Sequence, residues 1–158
     1  MLYALLKLVH LSGVIVWIGG MFFTLFCLRP AALGLQPPVR VAFMQAVLGR
    51  FFAVVTVAGL LTVGSGLWLV LRTRFSSTQA GAPFNMPMDW WVMAVLGLVM
   101  LAVFSRIGLM LYPRLKQAVA AQDWPAGGAV LGQIRSWVAV NLGLGAVIVA
   151  VVVLGAMS

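Results

Sequence analysis

The chain has 158 residues, of which 64% are apolar and only 8% charged, with a mean hydropathy of +1.15 and a formal net charge of +8. A water-soluble domain carries about 25% charged residues, so the composition excludes a surface built for water and makes lipid the solvent for most of the chain. It also excludes a nucleic-acid-binding module, because no segment offers a basic face on a soluble unit; the excess arginine and lysine read as juxtamembrane charge drawn to anionic headgroups.

A hydrocarbon core about 30 Å thick takes about 20 apolar residues in a helix, and four windows qualify. The first covers about 3–27. It is too long for a signal-peptide core and is followed by "LRPAALG" instead of a small-x-small cleavage site, so it reads as a retained span. Residues 28–50 hold three prolines and then "VRVAFMQAVLGRF", an amphipathic stretch leading into a second, uncharged span at about 51–71. Residues 73–89, "TRFSSTQAGAPFNMPMD", carry the Ser, Thr, Asn, Gly and Pro of a loop. The third span, about 90–112, is interrupted by Arg106. Residues 113–136 contain "QDWPAGG", in which Asp123 is placed to cap a helix starting near Pro125. That helix continues into an uncharged fourth span at about 137–156.

In lipid a backbone must satisfy its own hydrogen bonds, so the spans are helices. The expected fold is an all-α integral membrane protein, an antiparallel bundle of four transmembrane helices forming one membrane domain over residues 1–158. The second and fourth helices should extend past the membrane on one side. No convincing internal repeat and no second domain is found. Arg29, Arg40, Arg50, Arg114, Lys116 and Arg135 collect on one side, against Lys7, Arg72 and Arg74 on the other. The positive-inside rule then makes the loops after spans one and three cytoplasmic and leaves both termini outside.

Chemistry-bearing residues are few. His10 is the sole histidine and Cys27 the sole cysteine, there is no glutamate, and Asp89 and Asp123 are the two carboxylates. Paired-carboxylate catalysis, a relay of buried acids and a Ser-His-Asp triad are thereby excluded, and no catalytic residue is assigned; the chain leans away from an enzyme. At 100° per residue, Tyr3, Lys7, His10, Val14, Trp17 and Met21 share one stripe of the first helix. Ionisable groups inside a membrane face the bundle and mark function by default. His10 is therefore a candidate ligand, with core packing as its alternative; Lys7 either joins it or snorkels to the headgroups. At the depth of His10 stand Met93 in the third span and Ser65 and Trp68 in the second, whereas Met21 is about 16 Å further along the axis. An imidazole with thioethers suits Cu(I). The loop sequence "NMPMD" adds Met86 and Met88, which are either a second pair of thioethers or filler. Arg106 either snorkels or meets an anionic group such as a haem propionate or a lipid phosphate. Asn141 is an amide suited to an interhelical hydrogen bond, and Gly59, Gly64, Gly66, Gly143 and Gly145 suit close helix approach.

The stretches "HLSGVIVWIGGMFF", "LRPAA" and "GRFFAVVTVAGLLTVGSGLWLV", and more diffusely "YPRLKQAVAAQDWPAGGAVLGQIRSWVAVNLGLG", resemble the copper resistance protein D (CopD) family in its small four-span bacterial form. The spacing of Lys7, His10, Trp17 and Gly20 is also similar to that of the HemJ-type protoporphyrinogen oxidases, over the first two spans. The first resemblance implies copper handling at the bacterial inner membrane; on that reading His10 and Met93 form the metal site, Met86 and Met88 an entry point, and a periplasmic copper-binding protein is a partner. The second implies haem b, with His10 as axial ligand and Lys7 or Arg106 near the propionates. Both groups tend to place a histidine or lysine in the third span, where this chain has Met93 and Arg106. A membrane assembly subunit without chemistry is the third reading. The bilayer is a partner in all three, and a homo-oligomer is compatible with each.

Overall fold

The computed structural model describes residues 1–81 and 83–155. Four long helices follow one another: α1 at Leu2–Ala32, α2 at Pro37–Gln79, α3 at Met88–Ala120 and α4 at Trp124–Gly155. Each is long and apolar enough to cross a membrane, and no strand occurs among the described residues. Residue 156, the end of the fourth expected span, lies outside the described residues. The 43 residues of α2 run about 64 Å at 1.5 Å per residue, far beyond a hydrocarbon core of about 30 Å.

Three boundaries differ from expectation, the first being that α1 continues past residue 27 to Ala32. Residues 73–79 belong to α2 and not to a loop. Three of their four hydroxyls bond inside the helix: Thr73 donates to the Leu69 carbonyl at 2.9 Å, Ser77 to Thr73 at 3.1 Å and Thr78 to Arg74 at 3.0 Å. Likewise α3 continues to Ala120. It stops where Gln122 takes a positive φ of 55°. Asp123 then caps α4, its Oδ1 accepting from the Ala126 N–H at 2.9 Å, as the sequence suggested.

Helices α1 and α3 share a backbone irregularity. Each contains one π-helical turn, Thr24–Leu28 in α1 and Ile107–Leu111 in α3. In α1 the Arg29 N–H bonds to the Thr24 carbonyl; in α3 the Tyr112 N–H bonds to that of Ile107. Pro30 and Pro113 come next in each case. Proline lacks an N–H and its ring collides with the carbonyl four residues back. A wide turn just before it shifts the register so that the helix continues.

The same offset carries His10 to Met93 and Trp17 to Met100. A slightly longer one carries Val41 to Gly127, Leu48 to Ile134, Phe52 to Val138, Val55 to Asn141 and Gly59 to Gly145. Every one of these α2 and α4 residues is buried. The chain is therefore built as two equivalent helical hairpins, α1–α2 and α3–α4, and these are also its two most extensively packed helix pairs. Residue identities conceal the repeat because burial and backbone register carry it.

One apolar core draws on all four helices: Trp17 and Met21 from α1; Val41, Leu48, Phe52 and Val55 from α2; Met100, Ile107, Leu111 and Leu115 from α3; and Ile134 and Val138 from α4. Its aromatic spine runs from Trp17 to Phe104 (centroids 5.6 Å), Phe52 (5.7 Å) and Tyr112 (5.1 Å). The Tyr112 hydroxyl accepts from Gln45 Nε2 at 3.1 Å. This core lies towards the 33–36 and 121–123 turns, so the half containing His10 is the looser one.

Candidate functional site

Small residues bring α1 against α2. A Cβ on Gly13 would strike Thr62 Oγ1 and come within 2.9 Å of the Ala58 carbonyl oxygen. Gly59 receives the Trp17 ring, and Gly66 receives the His10 imidazole, whose Cε1 would be 2.9 Å from an added Cβ. Such close approach is what glycine supplies between membrane helices. Of the five glycines expected to do this, Gly59, Gly66 and Gly145 do, whereas Gly64 and Gly143 have nothing within 4 Å of a Cβ.

The polar groups of this interface all belong to one turn of α2. Thr62 Oγ1 donates to the Ala58 carbonyl at 2.8 Å, and Ser65 Oγ donates to Leu61 and, at 3.1 Å, to Thr62. His10 Nδ1 lies 2.8 Å from the Thr62 carbonyl oxygen and 3.3 Å from Ser65 Oγ. A carbonyl oxygen only accepts, so the ring proton sits on Nδ1. Nε2 has no hydrogen-bond partner among the described residues. A ring held through Nδ1–H with Nε2 unpartnered is how a histidine is oriented to offer Nε2 to a ligand.

The ring thus faces α2. Of the α2 residues expected at its depth, Ser65 is buried beside it and Trp68 is 57% exposed. Sequence reasoning missed the Thr62 carbonyl that orients the ring and the Gly66 that admits it; the small-residue run "TVGSG" at 62–66 was their signal.

Other candidates stand apart. Leu2–Phe23 packs chiefly on α2, and Met88–Arg106 chiefly on α4, so His10 and the half-buried Met93 sit in different hairpins. Their depths agree. A Cβ on Gly145 would touch both Ile18 and Met100, and from that layer His10 is about 12 Å outward and Met93 about 10 Å. Lys7 is exposed. Met86 lines an outer cavity of about 1070 Å³ with Arg74, Asn85 and Trp91, while Met88 is 76% exposed. Arg106 stacks over the Trp137 ring at 4.8 Å. Trp137 is about 12 Å inward of the Gly145 layer, so Arg106 is about 24 Å from His10 along the axis. The two groups cannot hold opposite edges of one haem.

Asn141 makes no interhelical bond through its carbonyl. It is 1% exposed, and among the described residues its Oδ1 is one of two buried side-chain polar atoms without a partner, the other being Trp17 Nε1. No group of three or more His, Cys, Asp or Glu side chains is assembled among the described residues.

A family model described as Copper resistance protein D matches residues 45–154, which takes in most of α2 and all of α3 and reaches the last turn of α4; His10 lies before the matched stretch. The match does not show a similarity to the protoporphyrinogen oxidases. No curated protein and no solved structure gives a match.

Proposed function

Since the chain belongs to the copper resistance protein D family and is a multi-pass membrane protein of copper resistance type, we propose that it handles Cu(I) inside the bilayer, with His10 as the nitrogen ligand. The observation that carries this reading is the hydrogen bond from His10 Nδ1–H to the Thr62 carbonyl, which leaves Nε2 free. The donor set suits a soft monovalent ion: one imidazole, one thioether (Met93) at the same depth, and, among the described residues, no cluster of carboxylates or imidazoles to favour Cu(II). Met93 supplies the thioether across the gap between the hairpins. Met86 and Met88, at the outer rim, receive the ion from a periplasmic copper-binding partner. The protein sits in the inner membrane as an antiparallel bundle with both termini outside.

A second reading shares the same atom. A bare Nε2 with a fixed Nδ1–H also suits an axial ligand of haem b, for which a His–Met pair is known chemistry. Haem would supply one-electron redox chemistry; His10 would hold the iron, and the distance to Arg106 leaves Lys7 as the cation nearest His10 on its own helix.

Protein purified without a histidine tag, loaded anaerobically with Cu(I) and analysed for metal and visible absorption, separates the readings. Wild type should retain copper and show no Soret band, and His10→Ala should lose the copper. A Soret band that disappears in His10→Ala establishes the haem reading. Full copper retention by His10→Ala removes His10 from the site.

A further inference from the structure

At the end of the bundle opposite His10, three arginines from three helices converge. Arg29 follows the π turn of α1, Arg40 lies in the first turn of α2, and Arg135 lies about three turns into α4. All three line one cavity of about 150 Å³ between these helices. Arg29 and Arg40 are half-buried and Arg135 is exposed. They are close enough for the charges of Arg40 and Arg135 to act on Arg29.

Nothing among the described residues neutralises them. No ion pair forms among the described residues, and none of the three guanidinium groups has a hydrogen-bond acceptor there. Both carboxylates are placed elsewhere: Asp123 caps α4, and Asp89 is beside Gly155 at the far end of the molecule. The cavity is also kept open. Gly128 and Gly132, one turn apart on α4, line it without a side chain, and a Cβ at either would meet nothing within 4 Å. Its floor is apolar, made by Leu25, Leu48 and Ile134. Three clustered cations cost energy unless an anion joins them, and the guanidinium fork matches phosphate oxygens. A water needs only about 10–15 Å³ of such cavity space, so the cavity has room for a small anionic group.

We propose that Arg29, Arg40 and Arg135 form a binding site for a phosphate-bearing anion at the membrane face made by the 33–36 turn and α4. Two sources carry that chemistry, an anionic phospholipid headgroup and a soluble phosphate. The apolar floor beneath the arginines fits a phosphodiester that brings an acyl chain. The site is independent of the copper reading, because none of its residues belongs to the His10 site.

The test reconstitutes the full chain into vesicles of phosphatidylcholine and phosphatidylglycerol in equal parts, extracts it in mild detergent and reads bound lipid by native mass spectrometry. Wild type should retain phosphatidylglycerol in several-fold excess over phosphatidylcholine. The Arg40→Gln/Arg135→Gln double variant should lose that preference, and Arg74→Gln, at the opposite end, should keep it. Arg135→Gln alone, at an exposed position, gives the same reading at reduced amplitude if the double variant fails to fold. In a parallel arm, inorganic phosphate is added to delipidated protein and the melting temperature followed. A rise in wild type that the Arg135→Gln variant lacks assigns the site to soluble phosphate; lipid preference without such a rise assigns it to the headgroup. If the arginine variants keep the wild-type lipid ratio, or Arg74→Gln lowers it equally, and phosphate shifts no melting temperature, there is no such site.

Discussion

Gly66 of α2 lies against the Cε1 and Nδ1 atoms of the His10 imidazole on α1, so close that a methyl group there would come within 2.9 Å of the ring. The same ring is anchored one turn earlier, where Nδ1 donates to the Thr62 carbonyl. Its position is therefore fixed by backbone atoms of α2 on one side and by the lack of a side chain on the other. A group with no backbone freedom holds its lone pair in one direction.

Gly66→Ala should consequently displace the ring, at a cost of about 1–3 kcal/mol for overpacking. Gly64→Ala, where a Cβ meets nothing within 4 Å, should leave melting temperature and copper retention unchanged. The pair measured side by side distinguishes a constraint on His10 from a general effect of losing glycine. Equal behaviour of the two variants would show that contact with the ring is unimportant.

Gly13→Ala should destabilise the α1–α2 hairpin by about 1–3 kcal/mol, because the added Cβ meets a backbone oxygen of Ala58 that cannot turn away. Gly145→Ala should cost less. The atoms it meets are the ends of the Ile18 and Met100 side chains, at 3.0 and 3.4 Å, and these can change rotamer. Thermal unfolding in detergent orders the two, and a larger loss at Gly145 would contradict the packing described.

Asn141→Leu should leave stability unchanged or raise it. Leaving a buried polar atom unsatisfied costs about 1–3 kcal/mol, and an apolar residue of similar shape removes that penalty; Asn141 Oδ1 has no partner. A melting temperature several degrees lower would mean that Oδ1 has a partner in the membrane.

His10→Ala removes the Nδ1 contacts to the Thr62 carbonyl and Ser65 Oγ, each worth about 1 kcal/mol or less, so the bundle should still fold while copper retention falls. Circular dichroism together with metal analysis checks both halves of this expectation. Loss of helicity alongside the copper would favour a packing role.

Orientation is open to cysteine labelling in a Cys27→Ser background. With the arginine-rich loops inside, a membrane-impermeant maleimide applied to intact cells should label Asn85→Cys, between α2 and α3, and spare Gly34→Cys, between α1 and α2. The reverse pattern inverts the topology. A reporter at Ser158 would read the same property from a position outside the described residues.

Composition and hydropathy were sufficient for the helix count and for a membrane setting, because 8% charged residues cannot cover a water-facing surface and a backbone in lipid has few options. Sequence also placed the Asp123 cap and the common depth of His10, Met93 and Ser65, since both follow from local spacing. What it left undecided was direction. The face of α1 that holds His10 has neighbours only once α1 packs on α2, and whether Gly66 or Gly64 meets the ring depends on a rotation of α2 that apolar residues all around a lipid-exposed helix do not reveal. The two-hairpin repeat was hidden for the same reason: it resides in π turns ahead of Pro30 and Pro113 and in matched burial, not in matched identities. The gathering of Arg29, Arg40 and Arg135 required the tertiary structure most of all. Along the chain they are three separate juxtamembrane charges, and only the packing of α1, α2 and α4 makes them one cavity.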